Sequence, residues 1–357
     1  MLFDVSRISY VLFLCMIAAC GDNVTDPGSP EVTLEARRGH VMVFDEARHQ
    51  MVLFGGWGAE EGAPPGDRGS TWALNGSTWS RVANTGPSPR HNAVAVYDAA
   101  RQRILLYGGI IGSFPNEQTL SDTWEWNGTA WSKVADTGPT PRVHLNMGYD
   151  RARGRVVLYG GFSLGSMTEL RDIWEWNGTS WMQQPVNGPP NTVARGVAFD
   201  EKAGALVLFS ASEDPGTSAV HMDVWNGTSL VRLAASAPNC IGNLVSLGAI
   251  RGGFVSAAWC QSLNAFRSDV WNGTSWTSVA GTNPSPRGSH AMAYDRDRDR
   301  VVLYGGEAMP NGPLLSDTWE FNGTSWSQVS GAAAISLAAS PHAAPPGRRR
   351  SLAAALP

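Results

Sequence analysis

One pattern of about fifty residues occurs six times in this chain and constrains its fold more than any single residue does. The clearest copies read RHNAVAVYD…RILLYGG…LSDTWEWNGTAWSKV and RGSHAMAYD…RVVLYGG…LSDTWEFNGTSWSQV. The Asn-Gly pairs of the six copies begin at Asn75, Asn127, Asn177, Asn226, Asn272 and Asn322. A repeat near this length indicates stacked units, because one such unit cannot bury its apolar face alone.

Each copy is predicted to contain four short antiparallel strands. In the second copy we expect them at 91–97, 103–107, 123–126 and 129–134, where apolar residues alternate or run together between turn residues. Asn127-Gly128 is predicted to form a two-residue hairpin turn, because both residue types tolerate positive φ. Six copies of four strands predict an all-β, six-bladed β-propeller.

A two-residue turn also predicts which side chains face each other across the hairpin. It places Trp124 opposite Trp131, and such aromatic pairs contribute about 0.5–1.5 kcal/mol beyond area burial. The same rule pairs Trp72 with Trp79, Trp174 with Trp181, and Trp319 with Trp326.

These features resemble the kelch repeat of β-propellers. Paired glycines follow the second strand, a Trp precedes the last Trp by six or seven residues, and the final strand reads W-x-x-V. The resemblance covers about residues 38–329 and is weaker in copies four and five, where Ser210-Ala211 and Trp259-Cys260 replace the glycines. It implies a kelch-type propeller, a class made up mostly of interaction platforms with a minority of enzymes.

The N-terminal residues predict export. An apolar run at 8–19 is too short to span a bilayer permanently and suits a signal peptide. It ends at Ala19-Cys20-Gly21, which resembles the bacterial lipobox and implies lipidation of Cys20, with Gly21 favouring the outer membrane of the cell envelope. An ordinary cleaved signal is the alternative. We expect a signal peptide at 1–19, an anchor and tether at 20–36, the propeller at 37–330 and a disordered tail at 331–357.

Charge narrows the choice of partner. The formal net charge is −4 and the repeats show no basic stripe, so binding to nucleic acid is not predicted. Membrane contact is expected through the Cys20 acyl anchor alone. We expect a monomer whose partner is an envelope protein or a surface glycan.

Binding is predicted at the face that carries the loops between second and third strands, because these loops vary in length and sequence. Arginines and histidines recur near the start of each first strand on this face, including Arg38 and His40 in copy one. The candidate binding residues are Trp57, Arg90, His91, Arg142, His144, Arg287 and His290.

Two interpretations of this set stay open. The arginines could form a cationic funnel for an acidic sugar, a carboxylate or a peptide side chain. Alternatively, each could pair with a neighbouring blade's aspartate, for instance Asp122, Asp172 or Asp317, or could cap loop carbonyl groups. Trp57 is either a stacking platform or an anchor for its own loop.

No catalytic residue, metal site or cofactor is predicted. The tyrosines recur at equivalent strand positions, which indicates packing rather than copper-radical chemistry, and no nucleophile elbow or Cys/His metal spacing occurs. The leading hypothesis is a lipid-anchored binding module. One alternative is a sugar-active enzyme of epimerase, mutarotase or lyase type, using a His and an Arg at the channel mouth. A third hypothesis is a structural role in envelope assembly without a discrete ligand.

Two cysteines of copy five could form a disulfide. Cys240 and Cys260 flank a predicted hairpin that turns near 250–253, and a bridge there would contribute about 3 kcal/mol. Two separately buried thiols are the alternative.

Overall fold

The computed structural model describes residues 33–330, apart from 61–62, 114, 202, 214–218, 234–236, 239–247, 250–252, 261–262 and 310. All of these belong to one compact unit that begins at Thr33. The predicted signal peptide, most of the tether, the C-terminal tail, Cys20 and Cys240 lie outside the described residues. No helix long and apolar enough to cross a membrane occurs in the described part of the chain.

The described residues form strands joined by turns and loops. In chain order they are β1 (Arg37–Arg38), β2 (Val41–Asp45), β3 (Gln50–Phe54), β4 (Trp57–Glu60), β5 (Ala63–Asp67), β6 (Thr71–Asn75), β7 (Thr78–Ala83), β8 (Val94–Asp98), β9 (Arg103–Ile111), β10 (Gln118–Trp126), β11 (Trp131–Ala135), β12 (Asn146–Asp150), β13 (Arg155–Ser163), β14 (Thr168–Trp176), β15 (Trp181–Asn187), β16 (Thr192–Asp200), β17 (Ala205–Ser212), β18 (Val220–Trp225), β19 (Leu230–Arg232), β20 (Gly248–Ala249), β21 (Phe254–Cys260), β22 (Ala265–Trp271), β23 (Trp276–Ser278), β24 (Arg287–Gly288), β25 (Ala291–Asp295), β26 (Arg300–Ala308), β27 (Leu314–Phe321) and β28 (Trp326–Ser330).

Each repeat forms one antiparallel blade, with its first strand innermost and its fourth outermost. The strand orders are β2-β3-β6-β7, β8-β9-β10-β11, β12-β13-β14-β15, β16-β17-β18-β19, β20-β21-β22-β23 and β25-β26-β27-β28. In blade 6, β24 also pairs with β26, and β1, β4 and β5 form a small additional sheet beside blade 1.

The first strands form a closed ring. Each contacts the first strand of the next blade, and β25 of blade 6 contacts β2 of blade 1. The chain is therefore a closed six-bladed β-propeller, which confirms the predicted all-β architecture.

Blade 6 meets blade 1 through a contact that also joins other blades. In blade 2 the Tyr107 hydroxyl donates to the Pro139 carbonyl oxygen, just ahead of blade 3, at 2.6 Å. In blade 6 the Tyr304 hydroxyl lies 3.2 and 3.1 Å from the carbonyl oxygens of Leu34 and Glu35, just ahead of blade 1. The N-terminal segment thus occupies the place of a following repeat.

The register of the outer hairpins differs from the prediction. Trp126, not Trp124, lies opposite Trp131, and Trp176 lies opposite Trp181. The predicted pairs are therefore wrong, including those of Trp72 with Trp79 and of Trp319 with Trp326, because Leu74 and Phe321 lie opposite the second Trp there.

An asparagine side chain causes this shift in blades 2 to 6. Asn127 Oδ1 accepts hydrogen bonds from the backbone N–H groups of Thr129 and Ala130, each at 2.8 Å. The turn thus spans four residues, and within it only Gly128 has positive φ, at 98°. A two-residue shift keeps each side chain on its predicted face, so the tryptophans still pack together.

Tryptophans also connect neighbouring blades. The Trp176 and Trp181 ring centroids lie 5.5 Å apart. Trp181 of blade 3 donates its Nε1–H to Thr123 Oγ1 of blade 2 at 2.9 Å. Trp131 of blade 2 makes the same contact with Thr71 of blade 1 at 2.8 Å. Packing and hydrogen bonding between these blades thus depend on the tryptophan that begins each fourth strand, Trp131 in β11 and Trp181 in β15.

Candidate binding site in the central channel

The recurring arginines are buried and bonded within the scaffold. Arg90 is 1% exposed. Its Nε and Nη2 donate to the carbonyl and hydroxyl oxygens of Ser88 at 3.0 and 2.8 Å. Its Nη1 donates to the Gly108 carbonyl oxygen at 2.9 Å. Both terminal nitrogens bond the Asp122 carboxylate, at 2.6 and 3.0 Å. These five contacts use all five N–H donors of the guanidinium.

Blades 3 and 6 repeat this arrangement. Arg142 pairs with Asp172, and Arg287 pairs with Asp317, both at 2.6 Å. The pairing with aspartate occurs as the second interpretation expected, but within one blade rather than between blades. The expectation that Arg90, Arg142 and Arg287 form a cationic funnel is therefore wrong, because their guanidinium N–H groups are bonded inside the protein.

In blade 1 the equivalent buried residue is Arg37, not Arg38. Arg37 Nη1 donates to the Gly55 carbonyl oxygen at 3.0 Å, as Arg90 does to Gly108. Arg38 instead lies over the Trp57 ring, 5.0 Å from its centroid, and pairs with Glu307 of blade 6. One face of Trp57 is thus covered, which supports its role as a loop anchor.

The histidines occupy different positions. His91 is half-buried, and its Nδ1 lies 2.6 Å from an Asp67 carboxylate oxygen. This contact joins blade 2 to the loop of blade 1. His144 is exposed at the channel mouth and has a φ of 54°. The surrounding protein and then the Arg195 guanidinium lower the pKa of His144. Of the predicted histidines, it is the one most open to a ligand.

His290 and its blade-1 counterpart His40 are buried, at 6% and 5% exposure. His290 packs against Phe266 with ring centroids 5.6 Å apart, and His40 packs against Tyr304 at 5.5 Å. Burial and then the charge of Arg287 lower the pKa of His290 to about 3. Burial also lowers the pKa of His40, so both rings are neutral at physiological pH.

The first strands enclose a central channel of about 560 Å³. At its mouth the chain turns into four of the first strands through a residue with positive φ. These residues are Gly39, Asn92, His144 and Ser289, in blades 1, 2, 3 and 6. Leu164 of the blade 3 loop also lines the channel and is exposed. The mouth therefore combines a shared backbone shape with different side chains.

An ionic ring forms the channel floor. It consists of Glu46, Arg151, Glu201 and Arg296, from blades 1, 3, 4 and 6, each directly after a first strand. Arg151 bonds Glu46, and Arg296 bonds Glu201. The ring closes through Arg151 Nε to Glu201 at 3.4 Å and Arg296 Nε to Glu46 at 3.3 Å. Because these side chains cross the channel, it is a blind pocket facing the loops.

Of the predicted Cys240–Cys260 disulfide, only Cys260 lies within the described residues. Cys260 is 2% exposed and disulfide-bonded. Cys240, its expected partner, lies outside the described residues. Within the described ranges, no group of three or more His, Cys, Asp or Glu side chains could hold a metal ion.

The fold and its central pocket place this chain among the six-bladed β-propellers. No protein-family model matches the sequence. Among solved structures, the chain is similar to that of YjhT, with a TM-score of 0.60 and 13% sequence identity. The likeness covers 84% of this chain and 99% of that chain. At this identity it shows a shared fold.

Sequence reasoning missed the channel floor and Arg195. The floor had a signal, because four of the five Tyr-Asp or Phe-Asp strand ends are followed directly by a charged residue, namely Glu46, Arg151, Glu201 or Arg296. Arg195 lies at a bulge in β16, where the pairing register shifts between Ala194 and Gly196. A bulge can redirect a side chain, and the repeat pattern does not predict one there.

Proposed function

We propose that this protein is an exported, lipid-anchored kelch-repeat propeller that binds an envelope protein or a surface glycan at its channel mouth. The observation that supports this most is the blind pocket, floored by the Glu46–Arg151–Glu201–Arg296 ring and open toward the variable loops. Pockets of a few hundred Å³ held on a rigid scaffold are the usual form of a ligand site.

The scaffold around the mouth is pre-organised. Arg90, which lies just before the first strand of blade 2, bonds the carboxylate of Asp122 in its third strand, β10. The Trp124 indole donates to the same Asp122 carboxylate at 2.7 Å. Such internal bonds hold the loops before a ligand arrives. A rigid mouth loses less conformational entropy on binding, which favours affinity.

The contacts favour binding over the sugar-active enzyme. That hypothesis needs an imidazole that exchanges protons and an arginine that clamps an anion. The His290 ring stays neutral, and the donors of Arg142 and Arg287 are occupied. Of the predicted acid/base and clamp residues, His290, Arg142 and Arg287 therefore serve the scaffold in this fold, and His144 is the predicted histidine that opens toward a ligand.

Changing the mouth is expected to weaken binding. His144→Asn introduces the residue type found at the equivalent position of blade 2, and Asn tolerates positive φ. We expect about a tenfold loss of affinity for envelope ligands, equivalent to about 1.4 kcal/mol. The full chain in detergent would be screened on a glycan array and with captured envelope proteins. His49→Gln, on the opposite end of the propeller, is the control. Equal binding by all three proteins would contradict the proposal.

Changing Cys20 tests the anchor separately. Cys20→Ala is expected to abolish incorporation of labelled fatty acid and to move the protein from the membrane fraction to the soluble fraction. The reason is that the acyl chains provide the proposed membrane attachment. Fractionation and metabolic labelling measure this. A Cys20→Ala protein that remains acylated and membrane-bound would exclude the lipoprotein assignment.

A further inference from the structure

Three polar side chains at the channel mouth have no bonding partner in the scaffold. They are the amide of Asn92 in blade 2, the imidazole of His144 in blade 3 and the hydroxyl of Ser289 in blade 6, and all three residues line the channel. None of these side chains bonds another group in the described part of the chain. The amide and the hydroxyl are not buried, and His144 is exposed. This polar arc therefore has donors and acceptors open to a ligand.

Backbone hydrogen bonds hold the arc together. The Gly39 N–H donates to the Ser289 carbonyl oxygen at 2.8 Å, and the Asn92 N–H donates to the Gly39 carbonyl oxygen at 2.7 Å. These bonds place the equivalent positions of blades 6, 1 and 2 side by side, and His144 has the same backbone conformation in blade 3. A Cβ at Gly39 would lie 2.5 Å from Asn92 Oδ1, so the amide leans over the glycine. The polar groups thus gather on one side of the mouth.

The scaffold does not require a polar side chain at these positions. All four residues have φ between 52° and 63°. Glycine adopts such angles without steric cost, as Gly39 does in blade 1, whereas serine rarely adopts them. Blade 6 nevertheless has Ser289 there, and blades 2 and 3 have larger polar residues. Because none of the three bonds the scaffold, their presence is best explained by contact with a ligand.

The arc and the channel below it carry no excess of positive charge. The surrounding protein and then the Arg195 guanidinium lower the pKa of His144, which favours the neutral imidazole at physiological pH. The charge of Arg195 is itself opposed by Glu169 and Glu213. The two arginines that line the channel belong to the floor ring, where each is paired with both glutamates. The other charged residue of the lining, Glu117, is negative and exposed. An anionic ligand would therefore lose its hydration without gaining a counter-charge.

The remaining features of the channel fit a sugar unit. A neutral imidazole, an amide and a hydroxyl offer both donors and acceptors, which match the hydroxyl groups of a sugar. Below the arc the wall is apolar, with partly exposed side chains that include Val41, Val94 and Val197. These side chains can pack against the C–H groups of a sugar ring. Because the floor ring closes the channel, only the end of a chain can enter it, and not an internal unit.

We propose that the polar arc binds the neutral terminal unit of a glycan, whose hydroxyl groups bond Asn92, His144 and Ser289. This inference rests on the proposed function, because it takes the channel mouth as the ligand site, and it specifies the chemistry and the part of the ligand bound there. The charged groups of the floor stay paired and close the pocket beneath the sugar.

The test uses the full chain in a detergent without a sugar headgroup. The neutral probes are D-glucose, D-galactose and N-acetyl-D-glucosamine, and the charged probes are D-glucuronate and D-glucosamine. Calorimetry measures binding, and ¹⁵N resonances report on the Asn92 amide and the His144 ring. We expect at least one neutral probe to bind more tightly than both charged probes and to shift both signals.

Replacing the arc by glycine removes its polar groups without straining the backbone. The Asn92→Gly/His144→Gly/Ser289→Gly variant introduces the residue that blade 1 has at Gly39, so its unfolding temperature should stay close to that of the wild type. We expect it to bind the neutral probe at least about tenfold more weakly. Gln102→Gly is the matched control and should bind like the wild type. Gln102 also has positive φ, at 55°, but lies in the exposed turn between β8 and β9, at the opposite end of the propeller.

The proposal is overturned if no neutral probe binds at millimolar concentration, if a charged probe binds most tightly, or if the glycine variant binds like the wild type. If the glycine variant does not fold, the wild-type resonances decide: a bound sugar that leaves the Asn92 and His144 signals unmoved overturns the proposal. If His144→Asn weakens binding of an envelope protein while no neutral sugar binds the wild type, the channel function stands and the sugar assignment falls.

Discussion

Replacing Arg90 by methionine is expected to lower the free energy of unfolding by about 3–5 kcal/mol, the usual result of breaking a buried ion pair from one side. The change leaves the Asp122 carboxylate, whose side chain is 15% exposed, without its cation. It also removes donors to Ser88 and Gly108. Urea denaturation followed by tryptophan fluorescence measures the loss.

Arg103→Met is the matched control for this prediction. Arg103 belongs to the same blade but donates to the carbonyl of Gln102, its chain neighbour, in an exposed contact. Surface changes of this kind are usually within about 0.5 kcal/mol of the wild type. A loss below about 1 kcal/mol for Arg90→Met would show that the buried arginines do not hold the blades.

The effect of Arg90→Met should also depend on pH. Burial alone would raise the pKa of Asp122, but hydrogen bonds from Arg90 and Trp124 outweigh it and hold this pKa below its usual value. The stabilisation is therefore complete above the unfolded pKa of about 3.9 and is lost as the pH falls through the lower folded-state pKa. In the variant, which lacks the Arg90 cation, burial is expected to raise the pKa of Asp122. Protonation of this carboxyl then removes the free-energy cost of a buried, unpaired charge. The difference between the two proteins should shrink from pH 7 toward pH 3.

The blades could be predicted from sequence because their signal is local and repeated. The second strand and its Gly-Gly end recur, and β9 and β26 begin at the predicted Arg103 and at the equivalent Arg300. The hairpin register could not be predicted from the Asn-Gly pair alone. Whether Asn127 adopts positive φ or caps the turn with its side chain depends on competing local hydrogen bonds.

The candidate site was predicted less well than the fold. The recurrence of Arg90, Arg142 and Arg287 indicated a shared role for these residues. Whether a guanidinium reaches solvent or bonds back to its own blade, as Arg90 does to the Gly108 carbonyl, depends on the loop geometry. The floor depends on closure of the ring, because Glu46 and Arg151 come from blades that are not neighbours. Their contact exists only once six blades are assembled.

Replacing Trp181 by alanine is expected to cost about 3–5 kcal/mol, because it opens a cavity at the junction of blades 2 and 3. The ring packs against Trp176 and Tyr107, with centroids 5.5 and 5.6 Å away. Trp181→Phe keeps most of this packing but leaves the buried Thr123 hydroxyl without its indole partner. We expect about 1–3 kcal/mol for that variant.

Met182→Ala is the control, since this neighbour on the same strand is 57% exposed and should change stability little. Equal losses for Trp181→Ala and Trp181→Phe would mean that the hydrogen bond to Thr123, rather than packing, joins the blades. A near-neutral Trp181→Ala would contradict the blade junction itself. In a propeller each blade contacts its neighbours on both sides, so weakening one junction strains the closure of the ring. The loss should therefore lower the unfolding temperature of the whole domain in a single transition rather than release blade 3 separately.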